Sequence, residues 1–204
     1  MALVHEKEFD EISAAIAEVE RHTDAELVAV LAAKSDDYRY IPTLWAALLA
    51  LALPFLLAMT PYWLDAYHIA VLQLSAFAII ALLFRWPPLL VRLIPKNVRF
   101  WRASNLARRQ FLENNLHYTR GETGMLIFVS ELERYVEIIA DRGIDQQVQT
   151  EQWQSIVDSL VSEIKKGRTK EGLKACIQSC GELLIKHVPV TDQKNELPNH
   201  LVVL

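Results

Sequence analysis

Between Arg39 and Arg85 the chain carries one formal charge, Asp65, and the apolar runs on either side of it are each about the length needed to cross a bilayer. At about 1.5 Å rise per residue, the run 41–60 makes a helix of roughly 30 Å, the thickness of a hydrocarbon core. The second run, 68–84, is shorter and holds Gln73 and Ser75, but Trp63 and Tyr67 before it and Trp86 after it suit an interfacial aromatic belt. The alternative is a pair of buried core helices. Helices of that kind seldom lack a polar stripe, and two in tandem without one are rarer, so a transmembrane hairpin over 39–86 is the preferred reading.

The hairpin leaves enough of the 204 residues for one soluble domain. A net charge of −4 says little, but its distribution orients the membrane segment. Residues 1–40 hold ten acidic and four basic side chains, whereas 85–120 hold eight basic ones and a single acidic one, Glu113. Lys34 and Arg39 precede the first span, and Arg85, Arg92, Lys96, Arg99 and Arg102 follow the second. The connection 61–67 has no Lys or Arg. The positive-inside rule then places both flanks in the cytoplasm and the connection outside, as for a multi-pass protein of a bacterial inner membrane. The opening stretch MALVHEKEFDEI is acidic, with no basic segment ahead of an apolar one, so no cleavable signal peptide is expected. Cys176 and Cys180 share a helix face with Leu173, Ile177 and Leu184 and are read as reduced core residues.

The soluble pieces follow from periodicity. In 6–22, Phe9, Ile12, Ile16 and Val19 recur at helical spacing, and ELVAVLAA at 26–33 is a short apolar run of strand length. After the hairpin, 87–98 is a basic juxtamembrane segment and 98–116 a basic amphipathic helix. GMLIFVS at 124–130 and YVEIIA at 135–140 read as strands joined by the charged stretch 131–134. Thr150 is a candidate cap for a helix that buries Trp153, Ile156, Val157, Leu160, Val161 and Ile164 and stops at Gly167. A last helix runs from about 170 to 187, ahead of Pro189, and 190–204 reads as a mobile polar tail with a short apolar end. The first strand cannot satisfy its own backbone, so it must pair with 124–130 across the membrane insertion. The expected fold is a small α/β sandwich of three or four strands, with the hairpin inserted after the first strand. Its soluble parts are 1–38 and 99–189.

The motif GETGMLIFVSELERYVEIIADRGI at 121–144, the W-x-x-I-V pattern at 153–157 and GLKACIQSCGELLIKHVP at 172–189 resemble the TPM-domain family, and the helix and strand of 1–33 resemble that domain's beginning. The resemblance implies a small α/β sandwich of the kind found in thylakoid, bacterial-envelope and receptor-associated proteins. Several members are linked to the assembly or repair of complexes, some bind calcium, and some have been assigned phosphatase activity. Here the pattern is interrupted by the membrane hairpin.

Acidic loop residues are the candidates for chemistry: Asp36 and Asp37 after the first strand, Glu122 before the strand pair, and Asp141 and Asp145 after it. Some of these could meet at one sheet edge and offer hard oxygen ligands to Ca²⁺ or Mg²⁺. Against this stands turn chemistry at Asp141-Arg142-Gly143, with Gly143 supplying a backbone geometry that other residues resist. No phosphate loop, C-x5-R loop, G-x-S-x-G elbow or H-E-x-x-H motif occurs, and the six histidines are scattered. The basic stretch 85–109 interleaves arginine with Trp86, Phe100 and Trp101. Following a span directly, it is read as a surface for anionic lipid and not for nucleic acid. These features favour a non-catalytic integral-membrane protein that docks or maintains another membrane complex. A metal-dependent phosphatase using the acidic loops is the alternative.

Overall fold

A computed structural model describes residues 6–61, 63–191 and 201–204. Two compact units are present, one formed by Met1–Ser35 with Phe100–Leu204 and the other by Asp36–Arg99.

The first unit is a mixed four-stranded sheet between helices. Helix α1 (Glu6–Glu20) leads into β1 (Glu26–Ala32). After the second unit, α5 (Lys96–Glu113) and a 3-10 turn (Leu116–Tyr118) lead into β2 (Gly124–Ser130), β3 (Tyr135–Ala140), α6 (Arg142–Asp145), α7 (Thr150–Lys165), α8 (Thr169–His187) and β4 (Leu201–Val203). The strand order is β3-β2-β1-β4. β1 and β2 pair in parallel from Glu26 with Gly124 to Ala32 with Ser130, so the predicted pairing across the insertion is present. β2 and β3 are antiparallel.

All seven residues of β1 and all seven of β2 are buried, as two central strands covered on both faces should be. Alternate side chains serve two cores. Leu27, Ala29, Leu31, Met125, Ile127 and Val129 pack with α1, α7 and α8. On the opposite face, Val28, Val30, Leu126 and Phe128 meet Ala103, Ala107 and Phe111 of α5. Cys176 and Cys180 are free and buried in the first core. A hydrogen bond with Cys176, and then burial, push the Cys180 thiol well up, which suits an inert core residue.

Three local expectations are corrected. Thr150 is not the cap of α7: Gln149 holds that position, and its N–H donates to Gln152 Oε1 at 3.3 Å. The apolar end of the chain is not part of a tail, because Leu201–Val203 pairs in parallel with Ala29–Leu31. Most of the expected tail, 192–200, lies outside the described residues. Gly143 lacks the positive φ that turn chemistry would demand. A Cβ there would stand 2.2 Å from the Gly121 carbonyl oxygen, so close backbone approach is what excludes a side chain.

The second unit holds α2 (Tyr40–Ala58), α3 (Ala66–Leu83) and α4 (Pro87–Leu93). α2 and α3 pack against each other, and Asp65 caps α3 by accepting the His68 N–H at 3.2 Å. Both helices are long and apolar enough to cross a membrane. No residue of α3 is buried, and Phe55 and Leu74 are 74% and 69% exposed.

The points at which the chain leaves and rejoins the sheet unit lie at one end of the sheet. Ser35 N–H donates to Glu133 Oε1 at 3.0 Å, in the turn after β2. Phe100 packs its ring 5.2 Å from that of Tyr135, the first residue of β3. An insertion with adjacent ends disturbs the host sheet little.

Candidate functional site

Strand direction decides which acidic residues can act together. Glu122 precedes β2 and Asp141 follows β3; because those strands are antiparallel, the two residues meet at one end of the sheet. Asp145 joins them at the end of α6. Asp36 and Asp37 follow Ser35, which is fixed at the opposite end, and a seven-residue strand of about 23 Å separates the two ends.

At the Glu122 end the backbone is tightly built. Glu122 adopts a left-handed φ of 56°, and its carbonyl accepts the Gly143 N–H at 2.9 Å. Thr123 N–H donates to Thr119 Oγ1 at 2.9 Å, and Thr123 Oγ1 donates to the Asp24 carbonyl at 3.0 Å. This framework holds the carboxylates in place but also occupies them. Asp141 Oδ1 accepts the Arg142 N–H at 2.8 Å as the cap of α6, and Glu122 Oε2 lies 3.9 Å from Arg142 Nε. Asp145 is exposed. The Arg142 guanidinium beside Glu122 offsets part of the negative potential that a divalent cation would need.

The other two candidates are also engaged. Asp36 Oδ1 accepts the Tyr38 N–H at 3.3 Å, and Asp37 pairs with Arg39 at 3.1 Å. Among the described residues no three His, Cys, Asp or Glu side chains are grouped so as to hold a metal ion.

The structure brings forward carboxylates that sequence reasoning missed. Glu133 is buried at the chain exit from β1. Its Oε1 accepts the Ser35 N–H, its Oε2 accepts the Ser130 hydroxyl, and the Ser35 and Ser130 hydroxyls lie 2.9 Å apart. This resembles a nucleophile and base, but Ser130 is 1% exposed and no substrate could reach it. The network instead latches the strand end before the chain leaves the unit. At the other end of β1, Glu20 Oε1 accepts the Leu27 N–H at 2.8 Å on the side that β4 does not reach. Burial, with Glu26 nearby, pushes the Glu20 carboxyl up to about 8. The only sequence sign of either residue is a glutamate beside an apolar strand, which is too common a pattern to single out.

Of the described histidines, His22 Nδ1 is bonded to the Glu18 carbonyl at 2.9 Å, His68 joins Asp65 at the cap of α3, His117 packs against Tyr118 in the 3-10 turn before β2 with their ring centroids 4.1 Å apart, and His187 closes α8. His5 and His200 lie outside the described residues.

Residues 94–183 match the family model of the TPM domain. The chain is also similar to a solved structure, the NMR structure of the BA42 protein from the psychrophilic bacterium Bizionia argentinensis. The TM-score is 0.60 with 18% identity, covering 98% of this chain and 95% of that one. At that identity the likeness speaks for the fold alone. No curated protein matches.

Proposed function

We propose that the chain is an integral-membrane TPM-domain protein whose sheet unit binds and maintains another membrane protein complex without catalysing a reaction of its own. The observation that carries this reading is the pair of long, apolar, outward-facing helices set between the two halves of one sheet unit. In water such surfaces would aggregate; in lipid they are at home. The charge asymmetry of the flanks supports a cytoplasmic sheet unit on the inner side of a bacterial inner membrane. The basic stretch from Arg85 to Arg109 then lies where anionic headgroups are. Trp86 is 68% and Trp101 59% exposed, and the Arg102 guanidinium stands 5.0 Å from the Trp101 ring centroid. An aromatic and basic surface of this kind suits the headgroup region.

Binding is favoured over catalysis because the sequence-predicted carboxylates are taken up by backbone caps, guanidinium groups or solvent. The competing reading, a metal-dependent phosphatase, draws on Glu122, Asp141 and Asp145 sharing one end of the sheet. Affinity capture of the full chain in mild detergent tests the proposal, with a hairpin-only variant as control. A membrane complex recovered reproducibly with the full chain and not with the hairpin is the expected result. Equal recovery with both would place any binding in the hairpin and contradict a docking role for the sheet unit.

A further inference from the structure

Most polar side chains of the two apolar helices are provided for locally. Thr43 Oγ1 in α2 donates to the Arg39 carbonyl at 2.8 Å, and Thr60 Oγ1, just beyond its end, donates to the Leu57 carbonyl at 2.7 Å. Tyr40 and Trp45 stand in the first two turns of α2 and Tyr67 in the first turn of α3, at the depth of an aromatic belt. His68 joins Asp65 at the cap of α3. Ser75 can turn its hydroxyl onto a carbonyl of its own helix one turn back. Gln73 has no such recourse.

At about 1.5 Å per residue, the 18 residues of α3 span about 27 Å, and Gln73 lies about 3 Å from the midpoint, too deep for its side chain to reach an interface. The residue is half-buried, but neither amide atom is shut inside the hairpin, and no hydrogen bond reaches either among the described residues. An amide left unpaired in hydrocarbon is costly, because no water takes the place of a partner. Gln73 carries an acceptor and two donors, so the missing partner must offer both.

We infer that α3 is an interface between two copies of this chain, with the two Gln73 amides hydrogen-bonded to each other across a two-fold axis at the middle of the membrane. The inference rests on the membrane reading above.

A second copy fits better than a helix of another protein. The amide is self-complementary: each carbonyl accepts from the other's NH₂, giving two N–H···O bonds with no further group. Copies of one chain inserted with one topology also carry Gln73 at one depth, and a two-fold axis along the membrane normal brings it opposite itself. A different protein would have to supply a donor and an acceptor at that same height. The flank of α3 ahead of Gln73 admits a neighbour. Ala66 and Ala70 share its side of the helix at heptad spacing, both are exposed, and their small side chains let a second helix come close.

Cross-linking and sedimentation of the full chain test this. In a variant lacking Cys176 and Cys180, Ala70→Cys should link two copies when membranes of the expressing cells are oxidised with copper phenanthroline. Ile79→Cys, at a position 58% exposed on the other side of α3, should not. In detergent the chain should sediment as a dimer that dissociates as the detergent-to-protein ratio rises. Gln73→Leu should weaken that dimer by about tenfold through loss of two interhelical hydrogen bonds. It should not lower the melting temperature of the monomer, since each free hairpin then loses only an unpaired amide. Gln73→Asn, which keeps the amide, should dimerise more tightly than Gln73→Leu. A monomer at every ratio, a dimer indifferent to Gln73→Leu, or linkage through Ile79→Cys and not Ala70→Cys overturns the inference. So does linkage of Ala70→Cys to a different protein, since a foreign helix would then occupy the face. Carbonate extraction of the same membranes tests the membrane reading separately: release of the protein contradicts that reading, whereas an integrated monomer contradicts the dimer alone.

Discussion

Helices α1 and α8 come from opposite sides of the inserted segment 36–99, and at Gly181 they pack too closely to leave room for a side chain. A Cβ at that position would stand 2.6 and 2.9 Å from the two Cγ atoms of Val19. Val19 cannot turn aside, since a β-branched side chain in a helix has essentially one rotamer. Gly181→Ala should therefore cost about 1–3 kcal/mol in overpacking, offset by about 1 kcal/mol of helix propensity, for a net loss near 1 kcal/mol. Val19→Ala alone should cost about 2 kcal/mol, because it opens a hole in the first core. Together the two changes should compensate: the new methyl enters the space vacated by valine, and a favourable coupling of about 1.5 kcal/mol is expected. Pulse proteolysis of the full chain in detergent across a urea series measures all four stabilities without separating the unit from its hairpin. Additivity within about 0.5 kcal/mol, or a Gly181→Ala variant stabilised by the full propensity gain, would refute the packing of α1 on α8.

Other consequences are smaller in scale. Glu20 is protonated in the folded state up to about pH 8 but ionises near 4.5 when unfolded, so stability should fall as pH rises through that window and level off above it. The ceiling is about 5 kcal/mol, and solvent access reduces the expected loss to about 1–2 kcal/mol; Glu20→Gln should flatten the profile in pH-dependent melting. Gly143→Ala should destabilise the sheet unit by about 2 kcal/mol in the same unfolding assay, because its Cβ meets two backbone carbonyl oxygens that cannot rotate away. Asp141→Asn with Asp145→Asn should leave hydrolysis of p-nitrophenyl phosphate at background with Mg²⁺ or Ca²⁺ present. Turnover by the parent protein that vanishes in a folded variant would favour the phosphatase reading.

Periodicity made the main elements legible because each relies on a run of side chains on one face. The apolar runs of α2 and α3, the continuous apolar β1 and β2, and the buried stripe of α7 all announce themselves this way. Leu201–Val203 did not, since three residues beside a polar segment carry no period, and only the exposed edge of β1 makes them a strand. The division of the acidic loops was hidden for another reason. Whether Asp36 lies near Asp141 depends on strand direction, which is fixed by pairing across 91 intervening residues between β1 and β2. The engagement of Glu133 likewise comes from a neighbour remote in sequence, Ser35, and that of Glu20 from the strand that follows its helix, at Leu27.

The central claim is a membrane hairpin whose two flanks share one side with the sheet unit. In a variant lacking Cys176 and Cys180, single cysteines at Leu64, in the connection between α2 and α3, and at Gln146, exposed after α6, report the two sides to a membrane-impermeant maleimide. Labelling of Leu64→Cys in intact cells, with Gln146→Cys reacting only after permeabilisation, is the predicted result. Labelling of Gln146→Cys and not Leu64→Cys in intact cells would reverse the orientation, and release of the protein from membranes by carbonate would contradict the spanning hairpin itself.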